Sequence, residues 1–282
     1  MIPRRDFLLT TLAATASAAL ALHGEASSTE LIDANVWLGR WPIRDLPLAE
    51  PAALAAKLNA NGVTRAWTSS FDGLMHKDIA GVNARLVESC RAHPIFEPFG
   101  LINLTLPRWE ADIAECAKHR MRGIRLVPAY HGYKLDDARF VEALKLAASQ
   151  RLVVQISCVL EDERTQNPLM RAAPVDVSPL AKALKAAPGA RVMLLNWLQS
   201  MASKPVLLTL ADTEVLFDIA MLEGIAGIEG ALESISAERL CFGSYAPVFY
   251  HEAAKLKLRE SELNATQLTA ITHENAKRLL FA

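Results

Sequence analysis

Tyr130-His131-Gly132-Tyr133 places one imidazole directly after a short apolar run. An imidazole titrates at about 6.5 in water, so His131 is a candidate general acid or base. The alternative is a loop histidine bonded to a backbone carbonyl. A second polar cluster, Glu161-Asp162-Glu163-Arg164, follows another apolar run. Carboxylates and an imidazole in one site can divide acid and base work, which makes Asp162 the candidate partner of His131. Arg164 offers a guanidinium to an anionic group. The alternative here is a solvated loop whose charges pair with each other. Arg125 stands inside an apolar segment, where a charge must be paired or hydrogen-bonded. It either forks a substrate carboxylate or bonds Asp33 or Asp218 as structural glue. Asp218 carries the same two readings, and Glu223 follows it at the start of a predicted helix.

These residues need a scaffold, and the chain supplies a regular one. Short apolar runs are predicted as strands at Leu31–Val36, Val63–Ser69, Phe96–Asn103, Gly123–Val127, Leu152–Cys158, Arg191–Asn196, Val215–Ile219 and Arg239–Gly243. Several are apolar almost throughout, as in Val192-Met193-Leu194-Leu195, which suits parallel strands covered on both faces. Helical runs separate them, at Glu50–Asn61, His76–His93, Pro107–His119, Asp136–Gln150, Asp176–Ala187, Lys204–Ala211, Gly224–Ser234, Tyr250–Leu258 and Asn264–Leu280. Eight strand-then-helix units predict an α/β fold, a single (β/α)8 TIM barrel. An open doubly wound sheet is the alternative. It would bring a glycine-rich phosphate turn after its first strand, and Leu38-Gly39-Arg40-Trp41-Pro42 is not one. In a barrel, function collects at the C-terminal ends of the strands. His131, Asp162, Arg164, Asp218 and Glu223 fall at or just beyond such ends, and Arg125 lies inside its strand.

The chain of 282 residues is 51% hydrophobic and 22% charged, enough for one large core. A net charge of -1 leaves no electrostatic footprint for nucleic acid. Residues 1–28 read as an export signal of the twin-arginine type. Arg4-Arg5 precede the apolar stretch Leu8–Leu22, and Gly24-Glu25-Ala26 offers a cleavage site. The barrel domain is then 29–282. The expected location is the periplasm, with no membrane span after cleavage. Four cysteines show no C-x-x-C spacing, and Cys158 and Cys241 read as buried thiols.

Four segments carry a resemblance. Asp33-Ala34-Asn35-Val36-Trp37-Leu38-Gly39 resembles the D-x-H-x-H-x-G opening of the amidohydrolase superfamily, in its amidohydrolase-related, decarboxylase-like branch. Gly123-Ile124-Arg125-Leu126-Val127-Pro128, Cys241-Phe242-Gly243-Ser244-Tyr245-Ala246-Pro247 and Glu274-Asn275-Ala276-Lys277-Arg278-Leu279 resemble its fourth-strand, eighth-strand and terminal motifs. The resemblance implies a metal-dependent-hydrolase-like barrel with hydrolase or lyase activity on a small polar molecule. It also implies a divalent ion held by two histidines after strand one, histidines after strands five and six, and an aspartate after strand eight. The matching positions here are Asn35 and Trp37, Gln155 or Ser157, Asn196, and Tyr245.

Amides, an indole and a phenol are poor ligands for such an ion. No cofactor is therefore expected, with a substitute divalent site left open. Asn35, Gln155 and Asn196 are expected to form an amide network, with Trp37 and Tyr245 filling the space beside it. Three functions compete: metal-free catalysis by His131 and a carboxylate, a catalytically degenerate barrel that binds a small molecule or protein, and a scaffold with a blocked mouth. The resemblance adds a homodimer through outer helices.

Overall fold

The structure is a computed structural model that describes residues 30–161, 164, 166–198 and 204–281. The expected export signal lies outside the described residues, as do Asp162 and Glu163.

Eight strands form one sheet: β1 (Ile32–Leu38), β2 (Arg65–Ser70), β3 (Phe96–Ile102), β4 (Gly123–Leu126), β5 (Val153–Ser157), β6 (Val192–Leu195), β7 (Leu216–Asp218) and β8 (Leu240–Cys241). They pair in sequence order. Each neighbouring pair from β1 to β8 is parallel. The sheet closes on itself, because Ala34 N donates to Phe242 O and Tyr245 N to Asn35 O, at 2.9 and 2.8 Å. The chain is therefore a (β/α)8 barrel, as its alternating runs predict.

The outer helices in order are α1 (Pro51–Ala60), α2 (Ile79–Ala92), α3 (Trp109–Lys118), α4 (Ala138–Ser149), α5 (Leu180–Ala186), α6 (Lys204–Thr209), α7 (Gly227–Leu232) and α8 (His251–Glu260). Their starts follow local chemistry. Pro51 pre-sets the first turn of α1, and Gly62, at φ +81°, lies just beyond its end. Asp78 caps α2 by accepting from Gly81 N, so that helix begins three residues later than the predicted His76. The predicted closing helix Asn264–Leu280 is three pieces: α9 (Ala265–Thr269), a π-helical turn (Ala270–Glu274) and α10 (Asn275–Phe281).

Two cores result. Val154, Ile156, Leu194 and Phe217 face the helices, with Leu54, Leu86, Phe140 and Leu180 packed on them. Ile32, Ala34, Trp67, Phe99, Val153, Met193, Leu216 and Cys241 fill the lower barrel. Trp67 stacks on Phe99 with ring centroids 5.0 Å apart.

The inward layer above them depends on an irregularity in β1. Asp33 pairs with Ala66 but Val36 with Thr68, so two residues, Ala34 and Asn35, lie opposite Trp67. Such a bulge shifts the alternation by one. Ile32 and Ala34 belong to the barrel interior, and Val36 and Leu38 pack toward the helices. Asn35 and Trp37 are thereby turned inward, where a regular strand would have turned them out.

Candidate site at the barrel axis

The inward residues at the top of the strands make one buried polar layer. Asn35 Nδ2 donates to Asn196 Oδ1 and to Asp218 Oδ2, both at 2.7 Å. Asn196 N donates to Asp218 Oδ1 at 2.7 Å, and Asn196 Nδ2 to Val159 O at 2.8 Å. Asn196 adopts φ +58°, a left-handed conformation that asparagine tolerates better than most residues. Gly243 makes room for the layer. A Cβ there would lie 2.7 Å from Asp218 Oδ2 and 3.1 Å from Asn35 Cβ.

Gln155 stands apart from the asparagine pair, contrary to the three-amide network expected from the sequence. Its register partner is Arg125, and neighbours in register on parallel strands point the same way. Gln155 Oε1 accepts from Arg125 Nε and Nη2 at 2.9 and 2.7 Å, and Gln155 Nε2 donates to Ala34 O. The remaining Arg125 donors reach Val36 O and Trp67 O. The guanidinium also lies 4.7 Å from the Trp37 ring centre. Arg125 is structural glue, but its hydrogen bonds go to an amide and to backbone carbonyls rather than to Asp33 or Asp218.

Asp33 accepts from Asn35 N, Ser244 N and Ser244 Oγ, at 3.2, 2.9 and 2.5 Å. Burial pushes its carboxyl up to about 7, against the pull of those bonds. Burial likewise pushes Asp218 up to about 6, with Asn196, Asn35, Lys257 and Arg125 opposing. Burial brings Arg125 down to about 9.

The layer is roofed. Trp37 stacks on Phe71 at 4.6 Å and 5°, and Trp41 meets Phe71 edge-on. Tyr245, at φ +58°, buries its ring and donates from its hydroxyl to Leu160 O at 2.6 Å. Trp37, Trp41, Leu46, Phe71, Leu74, Leu160, Met221 and Tyr245 form a separate apolar cluster over the strand ends. Asn35, Trp37, Arg125, Gln155, Asn196 and Tyr245 are all 0% exposed, and Asp218 is 1% exposed.

The other candidates lie outside this layer. His131 ends a single helical turn after β4 (Pro128–His131), which Gly132 closes at φ +71°. Its Nε2 is 3.4 Å from Gly73 O, and its buried Nδ1 has no protein partner. Burial holds its pKa down to about 4, so it is neutral at pH 7. Glu161 is buried against Arg44, whose Nε is 3.5 Å away, and burial raises its pKa. Arg164 is exposed. Glu223 is exposed and precedes α7 by four residues rather than starting it. Sequence reasoning named Asp33 only as a partner for Arg125 and passed over Ser244, Gly243 and His251. The D-x-N-x-W-x-G and F-G-S-Y segments were the available signal for the first three.

A divalent ion at this layer would need several lone pairs aimed at one point. Instead, the Asn35 amide nitrogen aims hydrogens at Asn196 and Asp218. Among the described residues, no three of His, Cys, Asp and Glu converge. The donor set does not fit a metal.

The barrel has clear structural relatives. It superimposes on 5-carboxyvanillate decarboxylase from Sphingomonas paucimobilis with a TM-score of 0.68 at 14% identity, covering 90% of this chain and 99% of that one. The 2,6-dihydroxybenzoate decarboxylase from Rhizobium gives 0.67 at 11%, covering 88% and 99%. The 5-carboxyvanillate decarboxylase from Novosphingobium aromaticivorans, with bound manganese, gives 0.68 at 14%, covering 92% and 99%. At such identities the likeness concerns the fold. No curated protein matches the sequence. Residues 42–282 match the family model described as Amidohydrolase, and the chain belongs to that family.

Proposed function

We propose that this chain is a catalytically degenerate amidohydrolase-family barrel, exported by the twin-arginine route to the periplasm, which binds a small molecule or protein without metal-assisted turnover. The observation that carries this reading is the Asn35 amide, which donates at 2.7 Å to both Asn196 and Asp218 in the place where a ligand set would converge. The roof of Trp37, Phe71 and Tyr245 supports it, since a reacting molecule would have to displace packed aromatic rings. The apolar stretch after Arg4-Arg5 supports the export part. The test is a turnover screen on benzoate-type carboxylates and lactones, with and without added Zn²⁺ or Mn²⁺. The expected result is no CO2 release and no hydrolysis. Turnover that Asn35→Leu abolishes would overturn the reading.

A second reading keeps hydrolase or lyase chemistry without a metal. One observation favours it: the His131 imidazole is buried with its Nδ1 unpartnered, so a ring lone pair is left to accept a proton. Turnover in the same screen that persists in Asn35→Leu but falls at least about a hundredfold in His131→Ala would select it.

A further inference from the structure

A groove of about 690 Å3 opens on the floor of the barrel. Leu31 just precedes β1 and Thr64 just precedes β2, so the groove lies at the strand starts, away from the polar layer at the strand ends. Its walls are the segment from α1 to β2, one face of α8, and the π-helical turn after α9. Leu31, Val63, Leu258 and Leu268 give it an apolar lining. Leu31 and Val63 are core residues that reach its bed, and Leu268 is 38% exposed at its side. Its hydroxyls are turned to the backbone. Thr64 Oγ1 donates to Leu31 O and Thr272 Oγ1 to Leu268 O, at 3.0 and 2.7 Å.

The charges beside this lining are uneven. Glu30 is already engaged by Arg65 and Lys277. Lys255 and Arg259 also line the groove, and among the described residues neither has a carboxylate partner. Lys255 Nζ donates to Asn61 O at 2.7 Å, which uses one of its three hydrogens. Arg259 is exposed, with its guanidinium fork unspent. The two cations stand four residues apart on one face of α8, where like charges oppose each other. A single anionic group placed between them would relieve that repulsion and take up their donors. An apolar bed with two uncompensated cations on one edge matches a molecule with an apolar body and one anionic head.

We propose that this groove binds an aliphatic monocarboxylate of medium chain length. Its chain lies on Leu31, Val63, Leu258 and Leu268, and its carboxylate meets Lys255 and Arg259. The volume falls within the range of about 300–1,000 Å3 usual for small-molecule sites. The site is separate from the barrel axis and does not rest on the reading above.

The test is calorimetric titration of the whole chain with octanoate, with hexanoate and 1-octanol as controls. Octanoate is expected to bind one per chain, about tenfold tighter than hexanoate because two more methylenes are buried. 1-Octanol, which lacks the charge, is expected to bind more weakly than octanoate. Arg259→Glu alters an exposed residue, and Tm checks that the variant is folded. It is expected to raise the Kd of octanoate at least about fivefold and to leave that of 1-octanol unchanged. Leu268→Asp is expected to weaken both. The proposal is overturned if octanoate does not bind, if 1-octanol binds as tightly, or if Arg259→Glu leaves octanoate binding unchanged. Binding that emerges only when residues 1–28 are removed would also overturn it, by making the chain's own apolar segment the occupant.

Discussion

Asn35 decides the chemistry of the barrel axis. Its side chain satisfies Asn196 and Asp218 at once, so removing it strands two buried acceptors. Asn35→Leu, which keeps the branching but puts bulkier methyl groups in place of the amide, is expected to cost about 2–4 kcal/mol, read from urea denaturation. The buried ionisable groups oppose one another. Asp33 and Asp218 titrate above their unfolded value of 3.8, near 7 and 6, so their contribution makes the fold less stable as pH rises through that window. His131 and His251 titrate near 4, below their unfolded 6.5, so theirs makes it more stable as pH rises between those values. Stability is therefore expected to vary little between pH 4 and 6.5. In His131→Phe/His251→Phe it is expected to fall with pH, in denaturation curves at several pH values. A rise in the double variant would contradict these assignments. Asn196 and Asp218 were legible because they sit at strand ends, and Asn35 because it stands in a recognisable motif. His251 was not, since an unpaired imidazole at a helix start leaves no mark in the sequence.

At the scale of elements, the bulge in β1 and the glycine after β8 act together. The bulge turns Asn35 and Trp37 inward, and Gly243 leaves the gap that Asp218 and Asn35 occupy. Asp218 is fixed by Asn196 N and Asn35 Nδ2 and cannot retreat freely from a new methyl group. Gly243→Ala is expected to destabilise the fold by about 1–3 kcal/mol, again by urea denaturation. At the far end, Asn264 and Gln267 form a reciprocal cap on α9. Asn264→Ala is expected to cost about 1 kcal/mol, seen as a lower Tm. All eight strands were legible as short β-branched or apolar runs, a composition that burial on both faces favours. The bulge was not, because an alternation of one residue inside Asp33-Ala34-Asn35 changes no composition. Nor was the π turn in the last helix, where Ala270–Glu274 reads as ordinary helix by periodicity.

The whole molecule is a (β/α)8 barrel whose axis carries amides, carboxylates and packed aromatic rings. Its four cysteines are free and buried, and burial raises the thiol pKa of each. They are expected to resist thiol reagents in the native state and to react only after unfolding, which a timed Ellman assay reads. Among the described residues no helix is long and apolar enough to cross a membrane. The barrel was legible from four motifs in order, whereas the function was not, because fold alone does not fix chemistry. The measurement that tests this account most directly is the metal content of the purified protein, with Tm recorded on addition of Zn²⁺ or Mn²⁺. The account predicts no stoichiometric metal and no change in Tm. One ion per chain that raises Tm, and that is lost in Asp218→Ala, would contradict it.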